Sequence, residues 1–342
     1  MKKYIITLLI VVLLPGLLIA EIFPKTGTAG LQFLKLGVDA RAIGMGEAYT
    51  AVSDDISSVY WNPAGLALKS QNQLLFSHTQ YVAGIMHEYF AASKLLSFGA
   101  LAFSASVLHM DWMDVYEEES FDQPTGEQFT CSDIAMGLTY ASSFTDKFSF
   151  GATIKYLRQN LDEYDVNGIG VDLGSLYNTG WKNFTIGMSL RNFGPNLKYE
   201  LDDDNDGSFD EDPFDLLDND GDGLIDEDIA ELEFKIPMNF SLGVAADLYE
   251  RDNSKLIGAF QLDNCVDRTE TYNLGFEYQI GVFSARSGYQ FNYDAAGLSL
   301  GFGLTIPTNS VIVQFDYSYT SFGYLQEDFI NTPHRISIKL LY

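Results

Sequence analysis

Tyr272-Asn273-Leu274-Gly275-Phe276-Glu277-Tyr278-Gln279-Ile280 changes character at every residue. Tyr272, Leu274, Phe276, Tyr278 and Ile280 form one set, and Asn273, Gly275, Glu277 and Gln279 the other. Successive side chains of an extended chain point to opposite faces, so this is a strand with one apolar and one polar face. The pattern returns from Val311 to Thr320, where Val311, Val313, Phe315, Tyr317 and Tyr319 alternate with Gln314, Asp316, Ser318 and Thr320. It returns again at the end, with Ile336, Ile338, Leu340 and Tyr342 set against Arg335, Ser337 and Lys339. Alternating segments of about ten residues with an aromatic-rich apolar face are the signature of strands that turn one side to lipid.

Working outward, segments of this kind fall near 72–82, 87–96, 98–108, 130–141, 148–158, 169–178, 183–192, 237–248, 255–264, 270–280, 281–291, 295–305, 310–320 and 333–342. An even number of strands brings both ends of a closed sheet to the same side. Links after even-numbered segments are short: Phe144 to Lys147, Thr179 to Lys182, Ile306 to Asn309. Links after odd-numbered segments are often long: 109–129, 159–168, 193–236 and 321–332. Outer-membrane barrels show this asymmetry, with short periplasmic turns and longer outer loops. A soluble sandwich or propeller would also give short alternating strands, but it explains neither the asymmetry nor the apolar faces. The fold expected is all-β: a transmembrane outer-membrane barrel of about 14 antiparallel strands over residues 71–342, surrounded by outer-membrane lipid.

The first residues agree with export. Lys2 and Lys3 precede an apolar run from Tyr4 to Ile19 and then Ala20, the layout of a signal peptide over 1–20. An uncleaved anchor helix is the alternative, although spanning helices want about 20 apolar residues. Leu18 is a poor fit to the small residue expected before the cut. Cys131 and Cys265 lie far apart and in no motif, as small apolar strand residues would. A net charge of −27 excludes a nucleic-acid partner, which would need a basic face. The 20 tyrosines and 25 phenylalanines suit the aromatic girdles of a barrel.

Between the seventh and eighth segments lies an acidic insertion, 199–234. Asp202-Asp203-Asp204-Asn205-Asp206-Gly207-Ser208-Phe209-Asp210-Glu211-Asp212 is repeated as Asp218-Asn219-Asp220-Gly221-Asp222-Gly223-Leu224-Ile225-Asp226-Glu227-Asp228. Asp202, Asp204 and Asp206, and in the copy Asp218, Asp220 and Asp222, occupy positions one, three and five of a calcium loop. Gly207 and Gly223 supply the sharp turn at six, and Asp210 and Asp226 the acid at nine. Pro213 and Ile229 stand where an EF-hand has its bidentate glutamate. The loops are therefore similar to helix-free calcium repeats of the thrombospondin type 3 or dockerin kind, with Asp212 or Asp228 as the later ligand. Calcium is the expected cofactor; a solvated acidic loop without metal is the bland alternative.

Four histidines, His78, His87, His109 and His334, share no metal or triad spacing, and no G-x-S-x-G elbow occurs. His109 with Asp111, or His78 with Ser77, would be the only sites to suspect, and the expectation is that the chain is not an enzyme.

Residues 21–70 differ from the rest. Leu34-Lys35-Leu36-Gly37-Val38-Asp39-Ala40-Arg41-Ala42-Ile43-Gly44-Met45-Gly46-Glu47-Ala48 leads through Val52-Ser53-Asp54-Asp55 to Tyr60-Trp61-Asn62-Pro63-Ala64-Gly65-Leu66. This run resembles the opening of the PorV/PorQ family, with Asp39 where that family usually has glycine. The close match covers about forty residues. The family is itself similar to the FadL-type fatty-acid transporters, fourteen-stranded barrels with an N-terminal plug and a similar Asn-Pro-Ala motif. The resemblance implies that 21–70 is a plug or hatch; a short periplasmic cap is the alternative. Gly44 and Gly46 suit close backbone passage or a positive φ, and Gly65 belongs to the family motif. Asn62-Pro63 suits a turn followed by Ala64. Arg41, Glu47, Asp54 and Asp55 suit ion pairs among themselves or with the inner wall.

The closing strand with its terminal aromatic, Tyr342, resembles the insertion signal read by the barrel-assembly machinery. Through the PorV/PorQ resemblance, the function expected is that of an accessory barrel in a type IX-like protein secretion system. Its partners would be secretion components and exported proteins, met by outer loops such as 109–129. The FadL resemblance implies instead a conduit for a hydrophobic small molecule. A purely structural calcium-dependent surface protein is a third reading.

Overall fold

The alternating segments pair edge to edge into one closed antiparallel barrel. The computed structural model describes residues 27–68, 70–81, 84–116, 123–161, 164–199, 232–321 and 332–342. The expected signal peptide and nearly all of the acidic insertion lie outside the described residues. The first half of the wall is β1 (Gln73–Gln80), β2 (Met86–Leu96), β3 (Gly99–His109), β6 (Cys131–Ser143), β7 (Phe148–Leu161), β8 (Tyr164–Asn178) and β9 (Thr185–Phe193). The second half is β12 (Asn239–Arg251), β13 (Ser254–Cys265), β14 (Thr271–Ile280), β15 (Phe283–Phe291), β16 (Leu298–Pro307), β17 (Ile312–Thr320) and β18 (His334–Leu341). Each of the fourteen pairs with its neighbour, and β1 closes on β18 from Gln73↔Leu341 to Gln80↔His334. Beyond that register, Asn72 and Tyr342 exchange two backbone hydrogen bonds, so Tyr342 lies on the seam at the short-turn end. Two small hairpins stand in the long links: β4 (Met113–Asp114) with β5 (Gln128–Phe129), and β10 (Leu197–Tyr199) with β11 (Leu232–Phe234).

Burial is inverted relative to a soluble protein. Side chains turned outward include Leu138, Ile154, Phe302, Phe315 and Ile336, all substantially exposed. Those turned inward are polar yet buried, among them Thr139, Thr153, Gln261, Glu277, Arg286, Asp316 and Lys339. Water would make such an apolar exterior costly, whereas lipid tails solvate it. Phe98, Phe144 and Trp181 sit exposed at the short-turn end, where an aromatic girdle belongs. Leu138 on β6 is paired directly with Ile154 on β7, midway along both strands. Arginine at position 138 is therefore expected to destabilise the barrel in a bilayer by about 2–4 kcal/mol. A lower yield of the heat-modifiable folded band on a cold gel would show it.

Of the expected loop 159–168, residues 159–161 and 164–168 are instead strand. β7 and β8 continue to a tip at Leu161↔Tyr164. Past the apolar band the outward positions carry polar residues, such as Arg158 paired with Asp165 at 2.8 Å. Alternation of hydrophobicity fades there although the backbone ladder does not. Both cysteines are free thiols.

Residues 27–68 run through the lumen. Ala29 forms a parallel bridge to Lys235, and Lys35 pairs with Asp267 at 2.8 Å, both at the long-loop end. Burial alone would raise the Asp267 carboxyl, but hydrogen bonds from Lys35, Gln32 and the Cys265 thiol hold it below its ordinary value. The chain then descends through α1 (Ala40–Gly44), α2 (Ser58–Trp61) and the 3-10 turn Pro63–Leu68 to reach β1 at the other end. The apolar cores of the molecule lie along this segment, with Ile43, Met45, Tyr49 and Trp61 in one and Val38, Ile56 and Leu66 in another.

Candidate functional site: the seat of the lumenal segment

One buried charge cluster joins the segment to β14, β15, β17 and β18. The Arg41 guanidinium forks onto Glu277, with Nε to Oε2 and Nη2 to Oε1 both at 2.8 Å. Its Nη1 reaches Asp54 at 2.5 Å and Asp55 at 3.0 Å. Arg286 donates to Glu277 at 2.5 Å and to Asp316 at 2.7 Å. Lys339 donates to Asp39 at 2.6 Å and to Asp55 at 2.7 Å. Tyr49 adds its hydroxyl to Asp55 at 3.0 Å. Three buried cations thus meet four buried carboxylates, with the half-exposed Asp54 at the edge. Buried ions of this kind are tolerable only when each is paired and hydrogen-bonded.

Asp39 explains a departure noted in the sequence. Its φ is +69°, a region that favours glycine, and the aspartate placed there turns its carboxylate onto Lys339. The wall also supplies acceptors for backbone donors that a short helix leaves unpaired. Gln261 accepts from the Tyr49 and Thr50 amides at 3.0 and 2.8 Å, Gln73 from Ile56 at 2.9 Å, and Ser337 from Ala40 at 2.8 Å. Asn62 donates to Thr50 at 2.9 Å and to Ser175 on β8 at 3.1 Å, while its Oδ1 accepts from Ala64 at 3.2 Å. That last bond is the Asx turn which Pro63 continues.

Backbone meets backbone where glycines face each other. Gly44 lies against Gly301 on β16, and Gly46, at φ +61°, against Gly288 on β15. A Cβ on Gly65 would fall 2.0 Å from the Ser53 carbonyl oxygen. The wall contributes inward glycines that sequence reading passed over. A Cβ would lie 2.3 Å from the Met45 oxygen at Gly275, 2.4 Å from the Pro63 carbonyl carbon at Gly151, and 2.1 Å from the Asn62 Oδ1 at Gly174. Glycine at the polar phase of an alternating strand was the available signal.

Arg41, Asp54, Asp55, Gly44, Gly46, Asn62, Pro63, Ala64 and Gly65 are therefore brought together along the seat. Glu47 is not: among the described residues it makes none of the segment's ion pairs. The acidic repeat from Asp202 to Asp228 lies outside the described residues. Among the described residues no group of three or more His, Cys, Asp or Glu is placed to hold a metal. Ser77 and His78 occupy opposite faces of β1; the serine is buried in the wall and bonded to Ser337, while His78 pairs outward with Glu88 at 2.6 Å.

The comparisons with known proteins fit this geometry. The Ralstonia pickettii toluene transporter TbuX is similar in structure, with a TM-score of 0.57 at 12% identity over 89% of this chain and 98% of its own. A Pseudomonas aeruginosa FadL homologue gives 0.54 at 13% over 90% and 98%, and the Pseudomonas putida toluene transporter TodX 0.52 at 12% over 94% and 98%. At these identities the likeness concerns the fold. A search of curated protein sequences finds no match. The profile of the type IX secretion system protein PorV matches residues 24–266, which takes in the whole lumenal segment and the wall from β1 through β13. Family and fold alike are those of outer-membrane and transport-related barrels rather than of enzymes. Inverted burial, a closed fourteen-stranded wall and that match lead to one assignment: the chain belongs to the PorV family of type IX secretion proteins and is an integral barrel of the outer membrane.

Proposed function

We propose that the chain is an accessory barrel of a type IX secretion apparatus, receiving exported proteins at the cell surface or handing them on. The observation that carries this reading is the family match across both the lumenal segment and most of the wall. The outer hairpin β4–β5 offers a docking tip, with Trp112, Met113 and Tyr116 more than half exposed. Exposed aromatics on a short hairpin are the residues that anchor protein contacts. A conduit for hydrophobic molecules, the alternative, needs an apolar path past residues 27–68. Where that segment meets the wall, the facing side chains are Gln261, Glu277, Arg286, Asp316 and Lys339, which favours a closed barrel. The deciding experiment is affinity purification of the tagged barrel from its own outer membrane. Secretion components or surface cargo should copurify, and W112A/Y116A should lose most of them. A barrel that brings down bound hydrocarbon or fatty acid and no protein would overturn the reading in favour of transport.

The two acidic repeats are proposed to hold one calcium ion each. Asp202, Asp204, Asp206, Asp210 and Asp212 would hold the first, and Asp218, Asp220, Asp222, Asp226 and Asp228 the second. Two copies in register support this, with affinity in the range of about 0.1–1 mM typical of extracellular modules. Millimolar calcium should slow cleavage of 199–234 by an acid-specific protease, and D206N/D222N should abolish that protection. Cleavage indifferent to calcium would remove the metal from the account.

A further inference from the structure

On the outward face of the seam, β18, β1, β2 and β3 enclose a groove of about 260 Å³. Phe76, Phe90, Ala105, Val107, Ile336 and Ile338 line it, with His78 and Glu88 at its edge. Strand register fixes how these side chains lie. Ile338, Phe76, Phe90 and Ala105 are paired in one row across the four strands. Ile336, His78, Glu88 and Val107 are paired in the next row toward the long-loop end. Ala105 is the smallest of these side chains and leaves the space beside Phe90. The Phe76 and Phe90 rings, 4.9 Å apart between centres, make one wall. Behind the groove the β1–β2 and β2–β3 ladders run without a shift in register. It is a dent in the outer wall and does not open into the lumen.

The same rows mark where the polar boundary of the membrane crosses the wall. One row toward the short-turn end, Leu340, Leu74, Ala92 and Phe103 are all apolar. One row beyond His78 toward the long loops, His334, Gln80 and His109 are polar, with Met86 among them. The groove therefore begins among acyl chains and ends at headgroup depth. His78 and Glu88 sit on that boundary. Their Nδ1 and Oε1 atoms are 2.6 Å apart, and the side chains are 48% and 43% exposed on the lipid side. Glu88 accepts from Nδ1, which leaves Nε2 and the second carboxylate oxygen to face whatever lies against the wall.

An ionisable pair on a lipid-facing strand is costly unless matching charge meets it. With both ring nitrogens protonated, the pair offers one N–H donor and one acidic acceptor, side by side on strands about 5 Å apart. A phosphate next to a primary ammonium is the complement. Phosphate oxygen accepts from Nε2, and the ammonium donates to the second oxygen of Glu88. A choline head lacks the N–H donor, and a glycerol head lacks the cation. Below the head, an acyl chain in the groove meets protein on several sides and gains dispersion contacts that a flat wall does not give.

We propose that this groove binds one outer-leaflet phospholipid with a phosphoethanolamine head, its chain against Phe76 and Phe90 and its head on His78 and Glu88. Two observations select this occupant: the groove is continuous with the lipid-facing surface, and the charges at its edge match that head. The site stands on the outer wall and does not require the secretion reading.

Native mass spectrometry of the full chain, released from a non-ionic detergent, reads bound lipid directly. Phosphatidylethanolamine, phosphatidylcholine and phosphatidylglycerol with identical chains are each titrated, and lipid A is the fourth ligand. One equivalent of phosphatidylethanolamine should bind roughly tenfold more tightly than any of the others. E88Q should bring it down to the level of phosphatidylcholine. A105F fills the groove and should weaken the first equivalent of all three phospholipids, roughly tenfold for phosphatidylethanolamine. Strands accept phenylalanine readily, and E88Q decides alone if A105F does not give a heat-modifiable barrel. Equal affinity for the three phospholipids, tighter binding of lipid A, or an unchanged preference in a folded variant would overturn the proposal. Loss of a copurifying protein from the A105F barrel, with its lipid affinity intact, would also overturn it and give the groove to a protein partner. Lipid binding is read on the purified chain without secretion components, so either reading can fail alone.

Discussion

Glu277→Ala is expected to lower the stability of the folded barrel by about 3–5 kcal/mol, the cost of stripping one partner from a buried ion pair. Glu277 is fully buried and accepts three arginine hydrogen bonds, two from Arg41 and one from Arg286. Its loss leaves two guanidiniums beside each other with only Asp54, Asp55 and Asp316 to share. Repulsion then acts across the joint between segment and wall. Urea unfolding in detergent micelles, followed by the gel shift of the folded barrel, measures the loss. Limited proteolysis should show residues 27–68 cut while the strands survive. A variant as stable and as protected as the parent would mean that the cluster does not hold the segment. E277Q keeps the shape and one acceptor oxygen and should lie between the two.

The second large effect comes from a residue with no charge at all. A Cβ on Gly288 would sit 2.2 Å from the Gly46 amide nitrogen, far inside contact distance, and both partners are backbone. Overpacking a core usually costs about 1–3 kcal/mol because side chains can shift. Here neither strand nor segment has a flexible end to yield, so Gly288→Val should unseat the segment rather than strain it. The strand itself accepts valine readily. The expected product is a folded barrel with an open lumen, seen as large steps of conductance in planar bilayers where the parent shows none. A silent, protected variant would show that the segment has room to spare. Gly275→Val, facing the Met45 oxygen, is an independent repeat of the test.

The wall was legible in the sequence because lipid enforces a rule at every second residue. In β14 the apolar set turned outward and Asn273, Gly275 and Glu277 turned in, as the alternation requires. The strand count and the long and short links followed from the same rule. The rule lapses where lipid ends, which is why the polar extensions of β7 and β8 read as a loop. Pairing inside the lumen was not legible. Arg41 announces a charge that needs a partner, but Glu277 lies 236 positions away and nothing local selects it over other acids. The wall glycines belong to the same class, since their meaning depends on what stands opposite across the lumen. At Asp39 the sequence showed only a departure from the family's glycine; the structure places a positive φ there.

The seam adds a consequence about assembly. Lys339 belongs to β18, and it grips Asp39 and Asp55 of the lumenal segment across 300 and 284 positions. Contacts of such separation form late in folding. When β18 zips onto β1, Lys339 must enter the lumen, and it finds its acceptors only if the segment is already in position. A barrel closing around nothing would trap a bare ammonium behind its own wall, an outcome that opposes closure. β18 therefore works as a checkpoint: the strand that closes the cylinder locks only around a segment already in its seat.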